Sequence, residues 1–101
     1  MTQEEMKKEI RHFLDDKERI KQYPSKRKQQ IISMLYLAYK FDPDKKYTES
    51  GINDILDQWT TFNDRAMLRR DMVNTGVLGR KTDCSEYWIN SPVPSFESFK
   101  F

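Results

Sequence analysis

The order of segments between Tyr47 and Ile89 constrains this chain more than any other feature. Tyr47 and Thr48 read as a short extended piece, and Thr48 is a good N-cap for a helix with Gly51 at its N3 position. Ile52, Ile55, Leu56 and Trp59 follow at i, i+3, i+4 and i+7, a single apolar stripe. Thr60-Thr61-Phe62 links this helix to Asn63, a second N-cap. The next helix is expected from about Asp64 to Thr75, with Gly76 as its C′ residue. Val77–Arg80 and Glu86–Ile89 then read as two strands around the polar loop Lys81-Thr82-Asp83-Cys84-Ser85. Strand, helix, tight turn, helix and hairpin form the grammar of a winged helix-turn-helix, whose second helix can enter a DNA groove. The expected fold class is mainly α with a small β-hairpin (α+β), a winged helix-turn-helix with an extra N-terminal helix.

That extra helix is marked by Met6, Ile10, Phe13 and Leu14 at i, i+4, i+7 and i+8, an apolar stripe on a charged background. Asp15-Asp16 breaks the pattern, and Glu18 to Tyr23 reads as an extended connector ending at Pro24. Ser25 is the expected N-cap of a helix carrying Ile31, Ile32, Met34, Leu35, Leu37, Ala38 and Tyr39. A helix apolar nearly all round belongs at the centre of a domain. Phe41-Asp42-Pro43-Asp44 ends it. Three segments follow: an N-terminal helix and connector over 1–22, a winged-helix domain over 23–90 and an aromatic tail over 91–101.

Size and composition bound the function. A chain of 101 residues supports one core. No apolar run approaches the roughly 18 residues of a membrane span and no signal peptide opens the chain, so a cytoplasmic protein is expected. Cys84 is the only cysteine and His12 the only histidine, which leaves no intrachain disulfide and too few ligands for a Cys/His zinc site. No nucleophile elbow, P-loop or dinucleotide fingerprint is present, and the three glycines build no phosphate-cradling loop. The expectation is no enzyme, no cofactor and no metal.

A resemblance carries the reading further. Tyr47-Thr48-Glu49, Ile52-Asn53-Asp54-Ile55-Leu56, Ala66-Met67-Leu68-Arg69-Arg70-Asp71-Met72-Val73, Gly76-Val77-Leu78-Gly79-Arg80 and Glu86-Tyr87-Trp88 together resemble a bacterial family of unknown function. The resemblance runs from roughly Gln22 to Ile89. Its members occur alone or joined to transcriptional regulators, which implies a winged-helix-like fold and a regulator-associated role without catalytic residues. The chain departs from the family pattern at Arg65, where an aromatic is common, and at Met67, where a threonine is common.

The candidate sites follow from charge and helical geometry. At about 100° per residue, Ala66, Leu68, Met72 and Val73 share one arc of the second helix, with Arg65 and Arg69 inside it. Arg69 is expected to pack its stem and pair its head with an acid such as Asp57 or Glu86. Asp64, Met67, Arg70, Asp71 and Asn74 are left outward, two acids against one arginine. Arg70 and Asn74 are the residue types that read base edges bidentately. Met67 would face the same groove, and Lys81 would touch the backbone from the wing unless it merely solvates the hairpin tip.

Charge is concentrated elsewhere. Lys17 to Lys28 holds six basic residues against one acid, a net of +5 in a chain whose whole charge is +2. Lys26, Arg27 and Lys28 sit in the first turn of the central helix, a placement that invites an anion. The anion is either a phosphate backbone or the protein's own Glu4, Glu5 and Glu9. The tail ends Phe96-Glu97-Ser98-Phe99-Lys100-Phe101, too apolar for a frayed end. Phe96, Phe99 and Phe101 either fold back over the domain or dock a second subunit together with Met6, Ile10 and Phe13. Double-stranded DNA and a second copy of the chain are the expected partners. The alternative function is a winged-helix interaction module without DNA binding.

Overall fold

The computed structural model describes residues 1–99; Lys100 and Phe101, and with them the expectation for Phe101, lie outside the described residues. The first helix, α1 (Gln3–Ile10), opens with a reciprocal cap. Glu5 N donates to Thr2 Oγ1 at 3.2 Å, and Thr2 N donates to Glu5 Oε1 at 2.9 Å. A 3-10 turn over Arg11–Phe13 ends the helix, and the chain doubles back so that Ile20 pairs with Leu14. Ile20 also bridges to Thr60, with Ile20 N donating to Trp59 O at 2.8 Å and Thr61 N to Ile20 O at 2.9 Å. The connector is thus bonded to the far end of a later helix.

The central helix α2 spans Arg27–Ala38. Ser25 does not cap it. Lys26 stands at the N-cap without a side-chain bond, and Gln30 Nε2 reaches back to Pro24 O at 2.8 Å. Every residue from Ile31 to Ala38 is buried, as its unbroken apolar sequence requires. The one polar member, Ser33, donates its hydroxyl to Gln29 O at 2.8 Å, so no donor is stranded.

Helix α3 (Glu49–Trp59) begins at Thr48, whose hydroxyl accepts from Gly51 N at 3.1 Å. Ile52 and Leu56 are fully buried, while Ile55 and Trp59 pack half-buried at the edge. Helix α4 covers Arg65–Asn74. Its N-cap is Asp64 without a side-chain bond, because Asn63 takes a left-handed backbone (φ 55°) to turn the corner. At the other end Gly76 adopts φ 81°, so that Val77 N donates to Met72 O at 2.9 Å and Gly76 N to Val73 O at 3.1 Å. This left-handed close stops the helix and aims the chain into the hairpin.

Strands β1 (Leu78–Arg80) and β2 (Tyr87–Ile89) pair antiparallel with Gly79 opposite Trp88. Tyr47 bridges the other side of β2, exchanging both backbone bonds with Tyr87 at 2.8 and 2.7 Å. The fold is mainly helical with a small antiparallel hairpin, as expected. One buried cluster joins Met6, Ile10 and Ile20 to α2, Ile52, Leu56, Leu68, Met72 and the hairpin residues Leu78, Tyr87 and Ile89. Phe96 and Phe99 pack against that cluster from the tail, so the fold-back is what they do in the monomer. Met6 and Ile10 are 4% and 0% exposed. Both lie within the chain's own core rather than on a face open to a second subunit. Phe13 is half-buried beside them. No helix among the described residues is long and apolar enough to cross a membrane.

Candidate nucleic-acid interface

Helix α4 presents a different face from the one its sequence suggests. Ala66, Arg70 and Asn74, at i, i+4 and i+8, are exposed and form its outward stripe. Ala66 therefore leaves the buried arc, while Met67 turns in and packs half-buried against the core. The cause is the position of the neighbours: α3 lies on one flank of α4, and the segment leading into α2 lies on the other.

Each flank is fixed by an arginine–acid contact. On the α3 side, Arg69 Nη2 lies 3.1 Å from Glu49 Oε1, and its Nη1 bonds Asn53 Oδ1. The acid is Glu49 rather than Asp57 or Glu86. Asp57 instead takes Arg65 at 2.6 Å, and Glu86 takes Lys81 at 3.2 Å and Lys46 at 3.9 Å. Arg69 is only 19% exposed, so its stem is packed as its place on the helix requires.

On the other flank, Asp71 turns away from the outward face. Its carboxylate accepts from Arg27 Nη1 at 2.8 Å, from Arg27 Nη2 at 3.0 Å and from the Tyr23 hydroxyl at 2.9 Å. The Arg27 guanidinium, with the Tyr23 hydroxyl, holds the Asp71 carboxyl below the usual aspartate range. Burial and the nearby carboxylate push the Tyr23 phenol up. Arg27 is thereby spent on an internal partner, and that partner is on α4 rather than among Glu4, Glu5 and Glu9. Lys26 and Lys28, one residue to either side, are exposed and form no ion pair among the described residues. The pair ties this basic turn directly to the helix that carries Arg70.

Between α4, the start of α3 and the hairpin lies a groove of about 190 Å³. Glu49 lines it from α3, Ala66, Arg69, Arg70, Val73 and Asn74 line it from α4, and Arg80, Cys84 and Tyr87 line it from the hairpin. Arg80 reaches across the hairpin tip, with Nη1 3.2 Å from Cys84 Sγ and within 3.5 Å of the Lys81 and Thr82 carbonyls. Cys84 is held at φ 62°, and its exposed side chain lines the groove beside Arg80. Burial and the neighbouring thiol hold the Tyr87 hydroxyl above the ordinary tyrosine range.

The sequence brings some of these residues into view and misses others. Arg70 and Asn74 stand where their helical phase puts them. Lys81 is on the hairpin but paired with Glu86, and Met67 does not face outward. Arg80 and Tyr87 join the site only through the hairpin's placement. The single local signal for them is alternation in the strands, which puts Arg80 opposite Tyr87 in the register. Among the described residues no group of three His, Cys, Asp or Glu side chains is arranged to hold a metal.

No curated protein matches the chain, and no solved structure does. Residues 19–89 match the model of a family described as uncharacterized proteins conserved in bacteria (DUF2087).

Proposed function

The chain belongs to that uncharacterized bacterial family, whose description supplies no activity, and from its site we propose a DNA-binding winged helix-turn-helix, a transcriptional regulator or a regulator-associated module. In this reading α4 enters the major groove, Arg70 and Asn74 reach base edges, and the hairpin acts as the wing. Lys26 and Lys28 hold backbone phosphate from the side. The observation that carries the reading is the outward stripe of α4. Its arginine and asparagine are exposed with no partner among the described residues, and the acid beside them, Asp71, is already neutralised by Arg27. The surface offered to a phosphate backbone is therefore more basic than the linear sequence implies.

The test is an NMR titration of labelled protein with a mixed-sequence duplex at low and moderate salt. Shifts at Arg70, Asn74, Lys26 and Lys28 that weaken as salt rises are expected. A spectrum unmoved at low salt rejects DNA binding by this chain.

A second reading, an interaction module that pairs with a protein instead of DNA, is favoured by a separate groove between α2 and the chain termini. Tyr39 is 49% exposed and borders this groove of about 180 Å³, shared with Met1, Leu35, Val93 and Phe96. Self-association that rises with concentration and is lost on Tyr39→Ser would favour it.

A further inference from the structure

We infer that the groove between α4 and the hairpin is a phosphate-ester site, in which Arg70 and Arg80 close on one phosphate from opposite walls; this rests on the DNA-binding reading and assigns its backbone contact. Three arginines and one glutamate line the groove, and the glutamate is held by Arg69. The Arg70 side chain has no hydrogen bond among the described residues, and Arg80 uses a single nitrogen on its carbonyl and thiol neighbours. Most of the donors of both guanidiniums are therefore available. A planar fork of N–H donors matches two phosphate oxygens at once, which a lysine at either position would not do.

Arg69 completes the site without entering it. Glu49 and Asn53 hold its guanidinium, so Arg69 cancels the groove's one carboxylate and leaves Arg70 and Arg80 as its uncompensated cations. The size of the groove selects the source of the phosphate. At about 190 Å³ it is smaller than the roughly 300–1,000 Å³ of sites that enclose whole small molecules. It has room for one anionic group of a larger ligand, as a nucleic-acid backbone offers. Asn74, one turn along α4 from Arg70, lines the same groove and is exposed beside it.

Cys84 supplies the test, because its exposed thiol sits on the rim of this groove. The rate at which N-ethylmaleimide alkylates Cys84 in the full chain is measured alone, with inorganic phosphate, with thymidine 3′,5′-bisphosphate and with a mixed-sequence duplex. Sodium acetate serves as a separate carboxylate control, and sodium chloride matches the ionic strength throughout. The duplex is expected to slow alkylation. Arg70→Gln and Arg80→Gln, verified as folded by their amide spectra, are expected each to remove that protection and to weaken duplex binding about tenfold.

Duplex binding that leaves Cys84 unprotected and is indifferent to both variants overturns the site while leaving DNA binding by another face intact. Protection by the bisphosphate through both arginines, with no duplex binding, keeps the phosphate site and rejects the DNA reading. Equal protection by acetate, or none by any phosphate, overturns the site.

Discussion

Replacing Asp71 by asparagine separates stability from binding, because this carboxylate locks two elements together while cancelling a cation beside the face proposed for DNA. Asp71 accepts three hydrogen bonds, two from Arg27 at 2.8 and 3.0 Å and one from Tyr23 at 2.9 Å. Asparagine keeps the shape but offers one oxygen, and its amide nitrogen turns a donor toward donors. Hydrogen bonds to charged groups contribute about 1.5–3 kcal/mol when shielded. The Arg27 side chain is 47% exposed, so water screens its bonds toward the roughly 0–1 kcal/mol of surface pairs. The Tyr23 bond is better shielded. A loss of about 1.5 kcal/mol is expected, a fall in Tm of about 6–12 °C for a domain of this size.

The pH dependence has a definite sign. Asp71 titrates below its ordinary value of 3.8 in the folded state, so its contribution is present above that pH and disappears as pH falls through the lowered value. The gap in Tm between the parent and Asp71→Asn should therefore be full at pH 7 and close in strongly acidic buffer. Binding should move the other way. Releasing Arg27 adds one cation to the basic turn, so the slope of log Kobs against log salt should steepen by up to about 0.9, with tighter binding at low salt. Thermal melts and fluorescence anisotropy with a mixed-sequence duplex measure both effects. A variant that melts like the parent refutes the Asp71 lock, and one that loses stability with an unchanged salt slope refutes the reading of Arg27 as a cation that Asp71 withholds from DNA.

Gly79→Ala should cost about 1–3 kcal/mol in chemical denaturation, because a Cβ there drives into the indole of Trp88 across the hairpin. That ring is not free to yield, since its Nε1 donates to Asn90 Oδ1 at 3.0 Å and Asn90 in turn bonds Gly76 O at 2.6 Å. Thr48→Ala should cost about 1 kcal/mol by the same assay, as the Gly51 amide loses its cap. Lys26→Glu with Lys28→Glu should leave the melting curve nearly unmoved, both side chains being exposed, yet lower the salt slope of duplex binding by about 1.8. An unchanged slope would remove the basic turn from the interface.

What could be read locally came through. Thr48 with Gly51 at N3 marks the start of α3, and the spacing of Ile52 and Leu56 marks its buried face, because a cap and a 3.6-residue stripe involve only near neighbours. Gly76 closes α4 for the same reason. The Thr2-to-Glu5 capping box is an equally local feature that the sequence reading passed over. The N-caps of α2 and α4 fall one residue later than Ser25 and Asn63. The geometry of the preceding turn, with Asn63 left-handed, sets where the helix begins. Ala66 and Met67 exchange roles because a helical wheel has no fixed edge: the residues at the border of the apolar arc take whichever side their neighbours leave.

The sequence by itself determined the order of the four helices and the hairpin, the central position of α2 and the presence of Arg70 and Asn74 on one side of α4, but not the two 3-10 turns or the isolated bridges that tie the connector and Tyr47 into the fold. Periodicity, caps and turn residues act over a few positions, so they survive in the linear chain. Only the tertiary structure decided which charges are free. Arg27 meets Asp71 across 44 residues, and Tyr23 meets it across 48, so nothing local announces that this acid is neutralised. The same holds for Arg80 and Cys84, which reach α4 because the hairpin folds against it. Ion pairs form wherever packing brings two ends together, and it is the packing of α2, α3 and the hairpin around α4 that turns a mixed-charge helix into a basic groove.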